Sequence, residues 1–478
     1  MVATPVTDGG PALELELDDI QGLVARGYGN LHAACFVLAH VDDPRAAANW
    51  LRSITDEVTP ASDRPQDHGT HVAFTYGGMS RLGLRADGSR GFSAEFVGGM
   101  TTSHRRRLLG DVDGSAPERW AWGGPTTPPI DVALLLYARD AATLETVRAD
   151  QAARLAAGGL REVATLETRP LDAFEHFGFH DGISQPIVQG LSKTASWSET
   201  VRAGEFVLGY PNEYGLLTAS PAVPAEGDSD HVLPAHPAGR AHHDFGRNGT
   251  YLVLRQLRQY VHRFWRFVDG AAGAQQDRDR AAARIAVASK MVGRWPSGAP
   301  LVRSPAHDDE RLAGENDFAY HDADPAGDRC PIGAHVRRAN PRDSLDPDPG
   351  SRRSVAVGKR HRLLRRGRGY GPRIDLEAAL RGDDESDDER GLHFLCLSGN
   401  LARQFEFVQH SWINDPTFGD LYEDPDPLVG ARTSAGRAFT MQASPVRRRI
   451  RNLPQFVSVR GGAYLFLPGI RALRYLAR

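Results

Sequence analysis

Three short segments of this sequence combine acidic, basic and imidazole side chains in patterns that suit acid–base or metal chemistry, and all three follow residue 171. The first, FGFHDGISQP at 177–186, places Asp181 between Gly178 and Gly182. Glycines on both sides of an acid let the backbone turn sharply and let a bulky planar ligand approach closely. Asp-Gly is also a common turn pair, so this segment alone favours an ordinary turn.

The second and third segments supply a histidine and a cluster of arginines. CPIGAHVRRANPR at 330–342 places His335 after small and apolar residues and before several cations. RLLRRGRGYGP at 362–372 places Arg365 directly after two leucines. Taken separately, a surface or core histidine and a basic surface turn are the better interpretations.

Two further patterns bear on metal and thiol chemistry. His176 and His180 are four residues apart, as in helical metal pairs, but Gly178 lies between them and no glutamate occupies the HExxH position. A zinc hydrolase is therefore disfavoured. The three widely separated cysteines, which form no CxxC pair, are Cys35, Cys330 and Cys396. Their spacing predicts reduced thiols, as in a cytoplasmic protein, rather than a disulfide framework or a cysteine zinc site.

The three segments, taken in order, resemble the signatures of the dye-decolourising peroxidases: a GxxDG loop, an AHxRxxNPR segment and an LLRRGxxYG segment. The N-terminal LDDIQGLVARGYGNL resembles the opening region of that family, and GGAYLFLPG near the C-terminus resembles its closing strand. The likeness spans nearly the whole chain and is greatest to the larger, soluble bacterial members.

The resemblance implies a haem enzyme with a defined set of residues around the cofactor. His335 matches the proximal ligand of the iron in haem b, Asp181 the distal acid–base residue, and Arg365 the distal arginine. The further residues that the resemblance and the local sequence assign to the cofactor pocket are Gln185, Arg342, Leu392 and Phe394.

The chemistry of peroxide cleavage explains why such residues are needed. A carboxylate can carry a proton from one peroxide oxygen to the other, and a guanidinium can stabilise the negative charge that develops. The guanidinium of Arg365 also favours the ionised form of Asp181 and so lowers its pKa. We therefore expect turnover to be fastest at acidic pH, with hydrogen peroxide as oxidant and an organic reductant such as a dye or phenol.

Two features of the implied site stay open at this stage. The second nitrogen of a metal-bound imidazole usually donates to a carboxylate or carbonyl group. The candidate acids that could support His335 are Glu406, Asp415 and Asp426. Candidate residues that could relay electrons to the surface, although core packing is the better interpretation for each, are Trp265, Trp412 and Tyr464.

The elements that must position these residues alternate between strands and helices. Strands are predicted at 33–40, 131–137, 160–167, 206–209, 249–257 and 393–397, with a hairpin at 456–467 turning at Gly461-Gly462. Helices are predicted at 44–54, 141–157, 277–295 and 400–412, and loops at 219–240 and 381–391. This rhythm indicates an α+β protein whose antiparallel sheets are covered on one face by helices.

The length of 478 residues predicts two packed units, 1–170 and 171–478. The resemblance implies that both are ferredoxin-like, that their sheets form a barrel-like core, and that the haem lies mostly against the C-terminal unit.

Composition and charge exclude several classes of protein. A formal net charge of −3 argues against nucleic-acid binding, and no apolar stretch is long enough for a membrane span. The N-terminus lacks the features of a secretory signal, which again suits the cytoplasm. The alternatives to a peroxidase are a haem-handling protein without turnover and a non-haem interaction protein. The oligomeric state and the physiological reductant stay open.

Overall fold

The computed structural model describes residues 14–84, 91–191, 196–273, 277–381, 389–432 and 438–478, without the side chains of 277–279. Its central feature is an antiparallel sheet of nine strands within these residues. The strands are β1 (Ala33–Val41), β2 (His68–Phe74), β3 (Val132–Ala138), β4 (Leu160–Glu167), β5 (Thr250–Gln259), β6 (Leu364–Arg365), β7 (Arg368–Tyr370), β8 (Gly391–Ser398) and β9 (Val457–Leu467). Their order is β6–β8–β5–β9–β2–β3–β1–β4, and β7 also pairs with β8.

The sheet consists of two ferredoxin-like halves. In the first, helices Pro44–Ile54 and Ala141–Ala157 follow β1 and β3, and the strand order β4–β1–β3–β2 is that of a βαββαβ unit. The second half repeats this order as β9–β5–β8–β6, and the halves join where Phe466 of β9 pairs with Phe74 of β2. The predicted α+β class is confirmed. The end strands β4 and β6 do not pair in the described chain, so the sheet does not close into a barrel.

Helices lie on and between these strands. The α-helices are Gly22–Ala25, Pro44–Ile54, Tyr76–Arg81, Ala94–Gly98, Ser103–Leu109, Ala141–Ala157, Val261–Ala272, Asp277–Val292, His335–Ala339, Arg352–Lys359, Leu376–Arg381 and Ile470–Leu476, and the π-helices are Ala402–Glu406 and Val408–Ile413. Short 3-10 turns are Thr55–Glu57, Asp113–Ser115, Pro117–Arg119, Ala203–Glu205, Ala225–Gly227, Glu310–Leu312 and Phe418–Asp420. Three small sheets pair Ile187–Val188 with Thr200–Val201, Ala222–Pro224 with His242–Asp244, and Ala438–Met441 with Arg448–Arg451. Across the described residues, every helix is too short or too polar to traverse a lipid bilayer.

Both faces of the sheet are buried, whereas the sequence predicted helices on one face only. Because side chains alternate along a strand, Val37 packs with Trp50 of helix Pro44–Ile54 on one face. Phe36 and Leu38 pack on the other face, against the N-terminal segment around Leu23. Non-helical chain therefore covers much of the second face, and a helix-based pattern does not reveal it.

The predicted hairpin at 456–467 is wrong, because β9 runs straight through this region. Gly461 and Gly462 pair with Gln256 and Arg255 of β5, after a register shift that follows Val459. A Cβ atom on Gly461 would lie 2.3 Å from Cε2 of Trp122. This glycine therefore allows an indole ring to pack on the strand and does not mark a turn.

The other sequence predictions differ less from the structure. Residues 206–209 are not a strand, since they continue from the turn Ala203–Glu205 and end at Gly209, whose φ is +90°. The predicted loop at 219–240 contains the short strand Ala222–Pro224. Most of the acidic run at 381–391 lies outside the described residues.

Candidate active site

A cavity of about 1810 Å³, including its open mouth, lies against the C-terminal half of the sheet. Leu392 of β8, Leu257 of β5 and Val459 of β9 pair directly across three neighbouring strands and form one wall. Phe394 lies on the same face two residues after Leu392, as strand alternation requires. The structure thus places Leu392 and Phe394 on the wall of a large, mostly apolar cavity.

Asp181 reaches this cavity from a tightly turned loop. Its backbone N–H donates to the carbonyl of Ala173 at 2.8 Å, and Phe174 forms an isolated bridge with His180. Gly178 and Gly182 have φ values of +95° and +85°, a region that favours glycine. Apart from the chain neighbours, no atom of the described residues lies within 4 Å of a Cβ built on either glycine. The glycines around Asp181 are therefore required by backbone conformation and not by close packing.

Arg365 holds the carboxylate of Asp181. Its Nη1 donates to Oδ1 of Asp181 at 2.7 Å, and both side chains line the cavity. Arg365 is the second residue of β6, and its backbone N–H donates to Oε1 of Gln185 at 3.0 Å. Gln185 is absent from the described lining of the cavity. The side-chain amide of Gln185 contacts the strand that carries Arg365. Gln185 therefore supports Arg365 and does not itself face the cavity.

The pKa of Asp181 reflects a competition between burial and charge. Its location deep in the protein raises the pKa, but the charge and hydrogen bond of Arg365 and the N–H of Gly182 lower it. The net pKa lies below the ordinary value of an aspartate. The side chain nevertheless keeps 43% of its surface open to the cavity, so the ionised carboxylate is accessible to a small molecule.

His335 reaches the same cavity from the first position of helix His335–Ala339. Its Nδ1 lies 2.9 Å from Oδ2 of Asp426. A carboxylate only accepts hydrogen bonds, so Nδ1 carries the proton and Nε2 keeps its lone pair. Nε2 has no hydrogen-bond partner among the described residues, and 32% of the side chain is exposed. The arrangement is the one expected of a metal-binding histidine.

Asp426 is itself fully buried and fixed. Its Oδ1 accepts from the backbone N–H groups of Leu428 and Val429, both at 2.9 Å. Burial raises its pKa, but His335 and these hydrogen bonds outweigh burial, and the pKa lies below the ordinary value. Conversely, burial lowers the pKa of His335 while Asp426 raises it, and the net shift is upward.

The other two candidate acids have different partners. Glu406 accepts from the hydroxyl of Tyr464 at 2.8 Å and from Nε of Arg105 at 3.1 Å. Asp415 accepts from the backbone and hydroxyl of Thr417. The structure therefore selects Asp426 from the three acids that the sequence left open.

Arg342 lies outside the described lining of the cavity, in contrast to the sequence prediction. Its guanidinium donates to Glu199, to the side chain of Asn316 and to two backbone carbonyls, and it lines a smaller neighbouring pocket. These protein acceptors use its donors and leave little for a cofactor. Arg337 and Arg338, which flank His335 in sequence, are likewise engaged by backbone carbonyls.

Arg362 and Asn340 are two of the polar lining residues that sequence reasoning missed. Both line the large cavity and the smaller pocket beside it. Nη2 of Arg362 and Nδ2 of Asn340 are buried without a hydrogen-bond partner in the described chain, and the nearest carboxylate oxygen to Nη2 belongs to Glu199 at 3.9 Å. Two unsatisfied donors at one edge of a cavity fit an incoming carboxylate.

Of the remaining sequence candidates, His180 also lines the large cavity, whereas the others are absent from its described lining. Trp265, Trp412 and Tyr464 are all buried. His176 and His180 do not share a helix, and their imidazoles contact the backbone carbonyls of Tyr370 and Ser297 respectively.

Comparison with known proteins gives the site its context. The chain is 30% identical over 424 residues, 85% of this chain and 81% of the relative, to "Multifunctional dye peroxidase DyP2" of Amycolatopsis sp.. It is 29% identical over 498 residues, 96% of this chain and 87% of the relative, to "Peroxidase 2" of Mycetinis scorodonius. Similarity thus extends to fungal members as well as the bacterial ones that the motifs indicated. No family model matches the chain.

Solved structures agree with the sequence relatives. An ancestral D-type dye-decolourising peroxidase superposes with a TM-score of 0.76 at 26% identity, covering 97% of this chain and 99% of that one. A dye-decolourising peroxidase in complex with 2,6-dimethoxyphenol gives 0.78 at 25% identity, covering 97% and 100%. Fold and site together define a haem peroxidase, an enzyme that reduces hydrogen peroxide with electrons from an organic reductant. The chain belongs to the dye-decolourising peroxidase family.

Proposed function

We propose that His335 would bind the iron of haem b through Nε2 and that Asp181 and Arg365, which line the same cavity, act on peroxide. The observation that carries this proposal is a single cavity shared by a carboxylate–arginine pair and by a histidine whose Nδ1 is held by buried Asp426. The haem would supply a redox-active iron to which peroxide binds.

We propose further that Arg362 and Asn340 hold the carboxylate groups of the porphyrin. Their unpartnered donors lie at the polar edge of the cavity, while strands β5, β8 and β9 offer an apolar wall to the macrocycle. Arginine suits this role because its planar fork matches a carboxylate. This assignment replaces Arg342, whose donors already have acceptors within the protein.

Asp181 would accept a proton from the peroxide oxygen that stays behind and pass it to the oxygen that departs. Arg365 would keep Asp181 ionised before the transfer and stabilise negative charge on the departing oxygen. Asp426 would hold the Nδ1 proton of His335 and so keep Nε2 free as a ligand. Each residue thus has one task at a stated atom.

The overall reaction consumes one hydrogen peroxide and two molecules of a phenol or dye. Peroxide takes up two electrons and two protons and leaves as two waters, while each phenol loses one electron and one proton. Support for such reductants comes from a relative named a dye peroxidase and from a similar structure in complex with 2,6-dimethoxyphenol.

Replacing Asp181 with asparagine tests the catalytic assignment. The amide would keep the size of the side chain but could not accept the proton, so we expect haem to be retained and the reaction with peroxide to slow by about 10²–10⁴-fold. The rate is measured by stopped-flow absorption after mixing with peroxide. Asp322→Asn, the same change at an exposed position, serves as the control and should react like wild type. A wild-type rate in Asp181→Asn would reject Asp181 as the acid–base residue.

We also infer that the enzyme functions in the cytoplasm, because its three cysteines are buried and unpaired. Fractionation of the producing cells, with peroxidase activity measured in each fraction, tests this inference. Activity in the fraction outside the cytoplasm would contradict it.

A further inference from the structure

A surface beside the smaller pocket exposes an unusual number of apolar side chains. Trp197, Tyr214, Leu216 and Leu217 are 41–49% exposed, although large apolar residues are buried through most of the described chain. We call these four residues the aromatic face. Lys359 lies over the ring of Trp197 and its sequence neighbour Arg360 over the ring of Tyr214, so both rings lie near the same end of helix Arg352–Lys359.

Cations surround both rings of the aromatic face. Arg352 lies 4.5 Å and Lys359 4.6 Å from the ring centre of Trp197. Arg360 lies 4.1 Å from the ring centre of Tyr214, with Arg403 on the same ring. Lys359 pairs with Glu213 at 3.4 Å, and Arg403 pairs with buried Glu205.

Two of these cations stay uncompensated. Within the described residues, neither Arg352 nor Arg360 has a carboxylate at ion-pairing distance, and Arg352 is exposed. The aromatic face is therefore apolar in its centre and positively charged around it. A ligand that matches both properties combines an aromatic ring with an anionic group.

The aromatic face also leads toward the proposed haem site. A pocket of about 520 Å³, including its open mouth, is lined by Ser198 and Lys359, which adjoin Trp197. Arg362 and Asn340 line both this pocket and the large cavity. An aromatic compound held at the face would thus lie beside a pocket that shares lining residues with the large cavity.

We propose that the aromatic face is the docking site for an aromatic anion, a sulfonated or carboxylated ring compound that serves as reductant. Its anionic group pairs with Arg352 and Arg360, and its ring contacts the exposed surface that Trp197 and Tyr214 leave beside these cations. Only the role of this ligand as a reductant rests on the proposed function, because docking itself requires neither peroxide nor turnover.

Calorimetric titration of the haem-loaded enzyme with naphthalene-2-sulfonate, without peroxide, tests the proposal. The double variant Arg352→Glu/Arg360→Glu should weaken binding about tenfold or more, since two attractive charges become repulsive. The control Arg45→Glu/Arg303→Glu has the same net charge and should change the dissociation constant by less than about twofold. Trp197→Ala should also weaken binding, and Trp197→Phe should restore most of it.

Uncharged naphthalene-2-sulfonamide separates the two contributions. We expect its binding to fall in Trp197→Ala and to be the same in both charge-reversed variants. If sulfonate binding were weakened equally in both charge-reversed variants, net charge alone would explain the effect and the proposal would be overturned. Unchanged sulfonate binding in both variants would also overturn it. Sedimentation velocity adds a third outcome that overturns it: a dimer of the wild type that becomes a monomer when Arg352 and Arg360 are reversed would make this face a subunit contact.

The failures of the two proposals are distinguishable. A dissociation constant that does not respond to Arg352 and Arg360 rejects the docking site and leaves the role of Asp181 unaffected. A wild-type rate in Asp181→Asn rejects the catalytic assignment and leaves the equilibrium titration unaffected.

Discussion

Arg365 and Asp181 form an ion pair that keeps the carboxylate of Asp181 ionised. Burial alone would raise the pKa of Asp181, and the guanidinium of Arg365 more than offsets this effect. Because folding lowers the pKa of Asp181, its carboxylate stays ionised at a pH below about 4, where an ordinary aspartate is protonated. If Asp181 is the base, as we propose, the rate of reaction with peroxide at acidic pH depends on this ion pair.

Removing the charge of Arg365 should shift the acid limb of the pH–rate profile, the pH range in which the rate falls as Asp181 becomes protonated. In Arg365→Leu the pKa of Asp181 loses its main lowering influence, so we expect the rate of reaction with peroxide to decline at higher pH than in wild type. Arg365→Lys keeps the charge and should shift the limb less. Stopped-flow rates between about pH 3 and 7 bracket the ordinary aspartate range and measure both. An acid limb at the same pH in all three proteins would show that Asp181 is not the titrating base.

Asp426 offers an equally sharp substitution on the histidine side. Asp426→Asn removes the anionic acceptor for Nδ1 of His335, and loss of such a partner usually costs about 10–100-fold in metal affinity or activity. Haem affinity is measured by transfer of the cofactor to an excess of apomyoglobin. Asp415→Asn is the matched control, because Asp415 contacts Thr417 and not the histidine. Equal haem affinities of both variants would contradict the role of Asp426.

Sequence reasoning pointed to three residues that the structure brings to one cavity, but not to all of their partners. Asp181, Arg365 and His335 stand in motifs that can be recognised locally. Asp426 is 91 residues from His335, and nothing local distinguishes it from Glu406 or Asp415. Partner choice of this kind depends on tertiary packing, which a spacing pattern does not contain.

The loop that carries Asp181 depends on two glycines with positive φ. Gly182→Ala forces a Cβ into a region that non-glycine residues rarely occupy, at an expected cost of about 1–3 kcal/mol of unfolding free energy. Open space around the site means that the cost would come from the backbone alone. Urea unfolding measures it, and the reaction with peroxide should slow as Asp181 is displaced.

Gly270→Ala is the control for that substitution. Gly270 lies in helix Val261–Ala272 with open space around it and no positive φ, so alanine should stabilise the protein by about 0.5–1 kcal/mol. If both variants were equally stable, the strained conformation of Gly182 would not matter for the loop.

Glycine also explains where the prediction of elements went wrong. Gly461-Gly462 follows a β-rich run and suggests a hairpin, yet it lies within β9 because the ring of Trp122 packs against it. Trp122 and Gly461 are distant in the chain, so no local pattern in the sequence indicates their contact. Strands with β-branched and apolar alternation, such as β5, were predicted close to their observed bounds because burial on the sheet determines their pattern.

The large cavity combines contributions from both halves of the chain. The C-terminal half supplies the wall of β5, β8 and β9 and the residues assigned to catalysis. The N-terminal half supplies Leu109, Gly110, Asp111 and Ser115 to the lining. The predicted division at residue 170 stays a prediction, and the described lining fits the expectation that the haem lies mostly against the C-terminal half.

The spectrum of the haem-loaded enzyme tests the central claim most directly, because it reports the atom that binds iron. His335→Ala should shift the Soret and charge-transfer bands, and added imidazole should restore the wild-type positions by entering the vacated space. His180→Ala, which removes another imidazole from the same cavity, should leave the spectrum unchanged. A His335→Ala spectrum that matches wild type without imidazole would contradict the assignment of the iron ligand and the haem geometry built on it.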